Sequence, residues 1–182
     1  MAAEEKTLEL KDILKETYKD VTEWLKFAEA KNGILLTVIG VFLFGLLRLL
    51  SSELEWILPL ENTLLLVILI LSSNLIVVLI SYFPMLNIMK KSKKNMVHSE
   101  RNLIFYKDIA LFTKEEYIET LEKKYNIKVT KQEEPFIKDQ IDQIIALSQI
   151  AVQKYMFFRI GVTLIVVSVV IVLIKIFYTY LG

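Results

Sequence analysis

Arg101, Asn102, Phe105, Tyr106, Lys107 and Asp108 hold the densest chemistry in this chain of 182 residues. Together they offer cations for a phosphate, an amide for a base edge and rings for stacking, the parts a small nucleotide site needs. Arg101, Asn102, Tyr106 and Lys107 are therefore the binding candidates. The same mixture also collects beside membranes, where aromatic and cationic side chains favour the interface. Other chemistry is thin. The chain has no cysteine, so it has no thiol nucleophile and no zinc-thiolate set. His98 is the only histidine, and Glu100 beside it does not make a triad or a metal site. Five glycines, mostly in or next to apolar segments, leave no phosphate-cradling loop. The residues point to binding and not to an enzyme, and no cofactor is expected. A net charge of +1 argues against DNA or RNA held by bulk electrostatics.

The elements that position these residues are largely apolar: 54% of the chain is hydrophobic, against roughly 45–50% for an average globular chain. The excess lies in three blocks. Gly33–Leu50 carries one charge, Arg48, near its end, where the long stem can snorkel to the interface. As a helix it is about 27 Å long, close to the hydrocarbon thickness of a bilayer. Asn62–Phe83 has no charge. The third block is uncharged from Ile160 to Ile174, and reaches Phe157 and Tyr178 if Arg159 and Lys175 snorkel. The expected fold is an all-α membrane protein with three transmembrane helices and a small helical cytoplasmic domain.

Lysine and arginine counts set the expected topology. The loop Ser51–Glu61 holds three glutamates and no cation, whereas six lysines precede Gly33, and Lys90, Lys91, Lys93 and Lys94 follow the second block. The positive-inside rule puts the N-terminus and the long middle segment in the cytoplasm and the C-terminus outside, for a multi-pass membrane protein. The lysine cluster would also attract anionic membrane lipid. The resulting plan is a cytoplasmic amphipathic helix (1–32), a first span (33–50), an outer loop (51–61), a second span (62–83), a cytoplasmic domain (84–156) and a third span (157–178). Trp56, Tyr82, Phe83, Phe157, Phe158, Phe177 and Tyr178 fall where interfacial aromatic belts would sit.

Leu10, Leu14, Tyr18, Val21, Leu25 and Ala28 recur at steps of three or four and predict one buried helical face. That face is expected to pack on the cytoplasmic domain or a partner helix. Its helix has no breaker before Gly33 and can run into the first span. Residues 102–106 read as a short strand or a turn. Thr113-Lys114-Glu115-Glu116 reads as a capping box opening a helix to about Tyr125, and 126–132 as a connection. Glu133-Glu134 forms the acidic first turn of the next helix, with Pro135 early in it. There Ile137, Ile141, Ile144, Ser148, Ala151 and Tyr155 make a heptad stripe that continues into the third span as one helix of more than 40 residues. Within the spans, Ser73 and Asn74 near the middle of the second are assembly candidates, since a buried asparagine seeks a partner in another helix. A pore lining is the other use of such residues. Gly33 and Gly40, seven apart on one face, permit close helix approach.

Three segments carry a family resemblance. Trp24-Leu25-Lys26-Phe27-Ala28-Glu29-Ala30-Lys31-Asn32-Gly33 resembles the membrane-proximal signature of the Pycsar effector transmembrane family, with Ala28-Glu29 where other members have alanine-aspartate. Asn102 to Ala110, then Glu116-Tyr117, resembles its aromatic-then-aspartate segment. Gln140-Ile141, Ser148 to Ala151 and Lys154-Tyr155 resemble the helix leading into its last span. The resemblance implies a role in anti-phage defence. A partner cyclase makes a cyclic nucleotide second messenger, a cyclic pyrimidine monophosphate in Pycsar systems. The effector, expected to be a homo-oligomer, senses it in the cytoplasm and compromises the inner membrane. Read from the residues alone, a scaffold membrane protein that binds a cytoplasmic protein explains the helical stripes equally well.

Overall fold

The computed structural model describes residues 2–52, 55–83, 101–126 and 134–180, with side chains from Leu8 onward. The lysine cluster at 90–94, His98, Glu100, Glu133 and most of the 126–132 connection lie outside the described residues. Every regular element among those described is helical. Helix α1 spans Ala2–Leu50, a 3₁₀ helix spans Glu55–Leu60, and α2 spans Glu61–Ile80. Helix α3 is the single turn Tyr106–Ile109, α4 is Lys114–Tyr125 and α5 is Glu134–Tyr180. Three helices are long and apolar enough to cross a membrane, so the chain is an all-α membrane protein.

The chain divides into two compact units, and α1 and α5 each contribute to both. The first draws on Met1–Ala28 and Pro84–Gln153. Its core joins Leu10, Leu14 and Val21 of α1 to Leu103, Ile109, Phe112, Tyr117 and Leu121, and to Ile137, Ile141, Ile144 and Ile145 of α5. The middle segment, about 65 residues and small for an independent core, is completed by the N-terminal stretch of α1. Two sequence expectations shift by one position. In α1, Thr17 is buried and Tyr18 is exposed. In α5, Ile137, Ile141, Ile144, Ser148 and Ala151 are buried as the heptad predicts, but beyond them Gln153 and Lys154 are buried and Tyr155 is only half-buried.

Residues 103–105 bend, so this stretch is a turn and not a strand, and it leads into α3. Helix α4 starts with a complete capping box: Glu116 N–H donates to Thr113 Oγ1 (3.2 Å) and Thr113 N–H to Glu116 Oε2 (2.9 Å). It stops at Asn126, whose left-handed backbone (φ 55°) ends the helix. Lys114 of α4 pairs with Asp142 of α5, and that bond raises the lysine's pKa.

The buried Tyr117 hydroxyl donates to the Leu103 carbonyl at 2.7 Å and tethers the 101–105 segment to α4. Burial drives its pKa well above the usual phenol value of 10.0. The folded state thus holds this proton more tightly than the unfolded chain. Its contribution is complete below about pH 10 and declines as pH rises through and beyond that value. Tyr117→Phe orphans the Leu103 carbonyl and should cost about 1–3 kcal/mol. It should also remove part of the alkaline loss of stability. Thermal midpoints in detergent across pH 8–11 check both.

The second unit contains Glu29–Phe83 and Lys154–Gly182. Helix α2 runs antiparallel to α1 and α5: Asn32, Ser81 and Lys154 meet at one end, and the Tyr180 hydroxyl bonds the Trp56 carbonyl at the other. Ile57, Leu60, Leu64, Val67, Leu71, Asn74, Val78 and Ser81 are buried, at alternating steps of three and four. Leu65, Leu66, Leu69, Ile76 and Leu79 face outward. In water such a face would be an aggregation site, whereas a bilayer solvates it. The stretch expected as a loop is partly helical. Ile57 and Leu60 pack with Leu64 against Leu46, Leu49, Leu50 and Val172, so apolar contacts hold the 3₁₀ turn in place.

Candidate functional site

The first unit brings Trp24 of α1 against the 101–108 segment. The Trp24 ring lies 5.4 Å from Tyr106, tilted by 33°, and 6.4 Å edge-on from Phe105. Phe105 and Tyr106 are 4.8 Å apart. Trp24, Phe27 and Phe105 remain substantially exposed, while Tyr106 is half-buried, which raises its pKa. An open surface recess of about 440 Å³ lies beside them, lined by Asp20, Glu23, Trp24 and Phe27.

The four predicted binding residues take different places. Arg101 is buried, donates to the Leu111 carbonyl (3.3 Å) and lies over the Phe112 ring at 5.3 Å. Asn102 is exposed but committed to a turn. Its Oδ1 accepts from Ile104 N–H (2.8 Å), and its own N–H donates to Asp108 Oδ2 (3.0 Å). Tyr106 joins the aromatic cluster, and Lys107 is exposed. The recess residues Asp20 and Glu23 were not among the sequence candidates. Asp20 lies four and seven residues before Trp24 and Phe27, and Glu23 four before Phe27, so all four share one side of the helix, and that side is the signal that could have found them.

In the second unit, Lys154 is 5% exposed. Its Nζ donates to the Ser81 carbonyl (3.2 Å) at the C-terminus of α2, pairs with Glu29 Oε1 (3.3 Å) and lies 5.4 Å from the Tyr82 ring. A cation at a helix C-terminus meets the negative end of its dipole. Asn32 Nδ2 donates to the Lys154 carbonyl at 3.1 Å. Deeper in the bundle Asn74 Nδ2 donates to the Gly161 carbonyl at 3.0 Å, so this asparagine has its partner on another helix of the same chain. Ser73 faces outward and bonds the Leu69 carbonyl of its own helix (2.9 Å). A Cβ on Gly40 would meet nothing within 4 Å, and one on Gly33 would make ordinary contact with the Tyr82 hydroxyl. The close helix approach is at Gly161, where a Cβ would lie 2.6 Å from Leu35 Cδ2 and 3.2 Å from Asn74 Oδ1 and Val78 Cγ2.

Three apolar helices and a second helical unit carrying an aromatic cluster define an all-α multi-pass membrane protein. A family model described as a Pycsar effector protein domain (PycTM) matches residues 13–181, and the chain belongs to that family. It is accordingly a cyclic-nucleotide-responsive effector of anti-phage defence, in a family of effectors that respond to the products of partner cyclases. No curated protein and no solved structure matches the chain.

Proposed function

We propose that the first unit is a cytoplasmic sensor for a cyclic pyrimidine monophosphate and that ligand binding leads an inner-membrane homo-oligomer to permeabilise the bilayer. The observation that carries this reading is the Trp24–Phe105–Tyr106 cluster beside an open recess. Base–aromatic stacking supplies affinity, and Lys107 supplies charge for the phosphate. Arg101 and Asn102 hold the 101–111 segment in shape. Asp20 and Glu23 accept from the exocyclic amine of cytosine, which favours cyclic CMP over cyclic UMP. The lysine distribution supports a cytoplasmic sensor, a cytoplasmic N-terminus and a periplasmic C-terminus. A full switch from 1:99 to 99:1 requires the ligand to prefer the active state by about 5.5 kcal/mol, and a site completed by assembly is one source of that preference.

Trp24 and Trp56 are the only tryptophans, so Trp56→Phe leaves Trp24 as a lone reporter. Cyclic CMP should quench its emission. Tyr106→Ala should weaken binding by about 5- to 150-fold, the equivalent of about 1–3 kcal/mol per stacked base. Unchanged emission and thermal midpoint across a panel of cyclic nucleotides would return the scaffold reading to first place.

A further inference from the structure

The interior of the three-helix unit is polar along one line. On α5, Lys154, Gly161, Ser168 and Lys175 follow one another at intervals of seven. Residues seven apart in an α-helix share a face, with a drift of only about 20° per step. Asn74 of α2 and Ser81, which caps the C-terminus of that helix, are also seven apart. Lys154, Ser168, Asn74 and Ser81 are all at least nine-tenths buried. The two seams meet, since Asn74 bonds the Gly161 carbonyl and Lys154 bonds the Ser81 carbonyl.

One atom in this seam is left over. Asn74 Oδ1 is buried and has no hydrogen-bond partner. An unmet polar atom in a low-dielectric interior costs free energy that a water molecule would recover. Ser73, the neighbouring residue, faces outward, and its hydroxyl bonds the Leu69 carbonyl. The Ser81 and Ser168 hydroxyls bond the Val78 and Leu164 carbonyls at 2.6 and 2.8 Å, so the lysine and the asparagine are the costly members of this seam.

We propose that the Lys154–Gly161–Ser168–Lys175 face of α5, with Asn74 and Ser81 of α2, lines a water-filled path through the membrane in the activated effector. This rests on the reading that ligand permeabilises the bilayer, and it specifies a protein-lined path in place of general lipid disruption. The closed bundle holds the seam dry. Activation separates α2 from α5 enough to admit water, which then meets Asn74 Oδ1 and the Lys154 ammonium.

The absence of native cysteine makes the test direct. Ser168→Cys and Ser81→Cys each place one thiol on the seam with little change in size, and Ser73→Cys places one on the outer face. Each full-length variant is reconstituted in liposomes loaded with a self-quenched dye. An anionic, membrane-impermeant methanethiosulfonate is added with or without cyclic CMP or cyclic UMP. Either nucleotide should accelerate modification at positions 168 and 81 by up to about 100-fold, as a 1:99 population becomes 99:1, and position 73 should stay unreactive. Dye release with no reaction at either seam thiol would leave permeabilisation standing and overturn the seam. Equal reaction at position 73 would do the same. No dye release with either nucleotide would overturn the permeabilisation reading, and the seam with it.

Discussion

Gly161→Leu should prevent the three-helix unit from forming. Even a methyl at this position would lie 2.6 Å from Leu35 Cδ2, with the Asn74 amide oxygen and a Val78 methyl at 3.2 Å. The Leu35 methyl is the end of a flexible side chain and can move aside for one carbon. Alanine also favours a helix over glycine by about 1 kcal/mol, so Gly161→Ala should lie near the wild type. Leucine adds three more carbons to a site bounded by α1 and α2. The helices would have to separate, and Asn74 would lose the Gly161 carbonyl that its amide now meets. Overpacking of this size costs about 3 kcal/mol, and loss of the Asn74 bond adds to it. Thermal midpoint and size-exclusion profile in detergent distinguish the two variants. A leucine variant as stable as the alanine one would refute the close approach of α5 to its neighbours.

Lys154→Glu carries the second large effect. Lys154 is the buried cation between Glu29 of α1 and the last carbonyls of α2. A glutamate there faces Glu29, half of which is exposed, and the negative end of the α2 dipole. A buried charge stripped of its partners costs about 3–5 kcal/mol. Lys154→Met should be milder, at about 1–3 kcal/mol, because it leaves the Ser81 carbonyl short of a donor but buries no new charge. The charge swap Glu29→Lys with Lys154→Glu should recover only part of the loss. It restores the ion pair, yet the new carboxylate still faces an α2 carbonyl. Full recovery would mean that Lys154 acts through Glu29 alone and not through α2.

Sequence periodicity located the inward faces well where one helix packs on neighbours in a steady rhythm. Ile137, Ile141, Ile144, Ser148 and Ala151 are all buried as their spacing predicts. It slipped where the rhythm changes. Thr17 is inside although Tyr18 was the expected residue, because a threonine among charges reads as surface until a tight contact excludes water around it. Lys154 is inside next to the expected Tyr155 for a related reason. A lysine reads as exposed from its own chemistry, and only the Ser81 carbonyl and Glu29, brought from two other helices, make its burial tolerable.

The candidate site divides in the same way. Tyr106 and its aromatic neighbour were legible because rings and cations cluster in one short stretch. Arg101 is a binding candidate by its charge, and only the structure shows that its guanidinium meets the Leu111 carbonyl and the Phe112 ring. The partner ring Trp24 lies 82 residues before Tyr106, and spacing within one helix carries no information about contacts across that distance.

What the sequence alone determined is the solvent of each segment. Length and apolarity set which stretches cross a bilayer, because transfer free energy accumulates residue by residue along a helix. What only the tertiary structure decided is which polar groups meet. A hydrogen bond or an ion pair depends on distances between elements far apart in the chain, and those distances follow from the packing of whole helices. Gly161 against Leu35 and Asn74, and Lys154 against Ser81, were decided at that level.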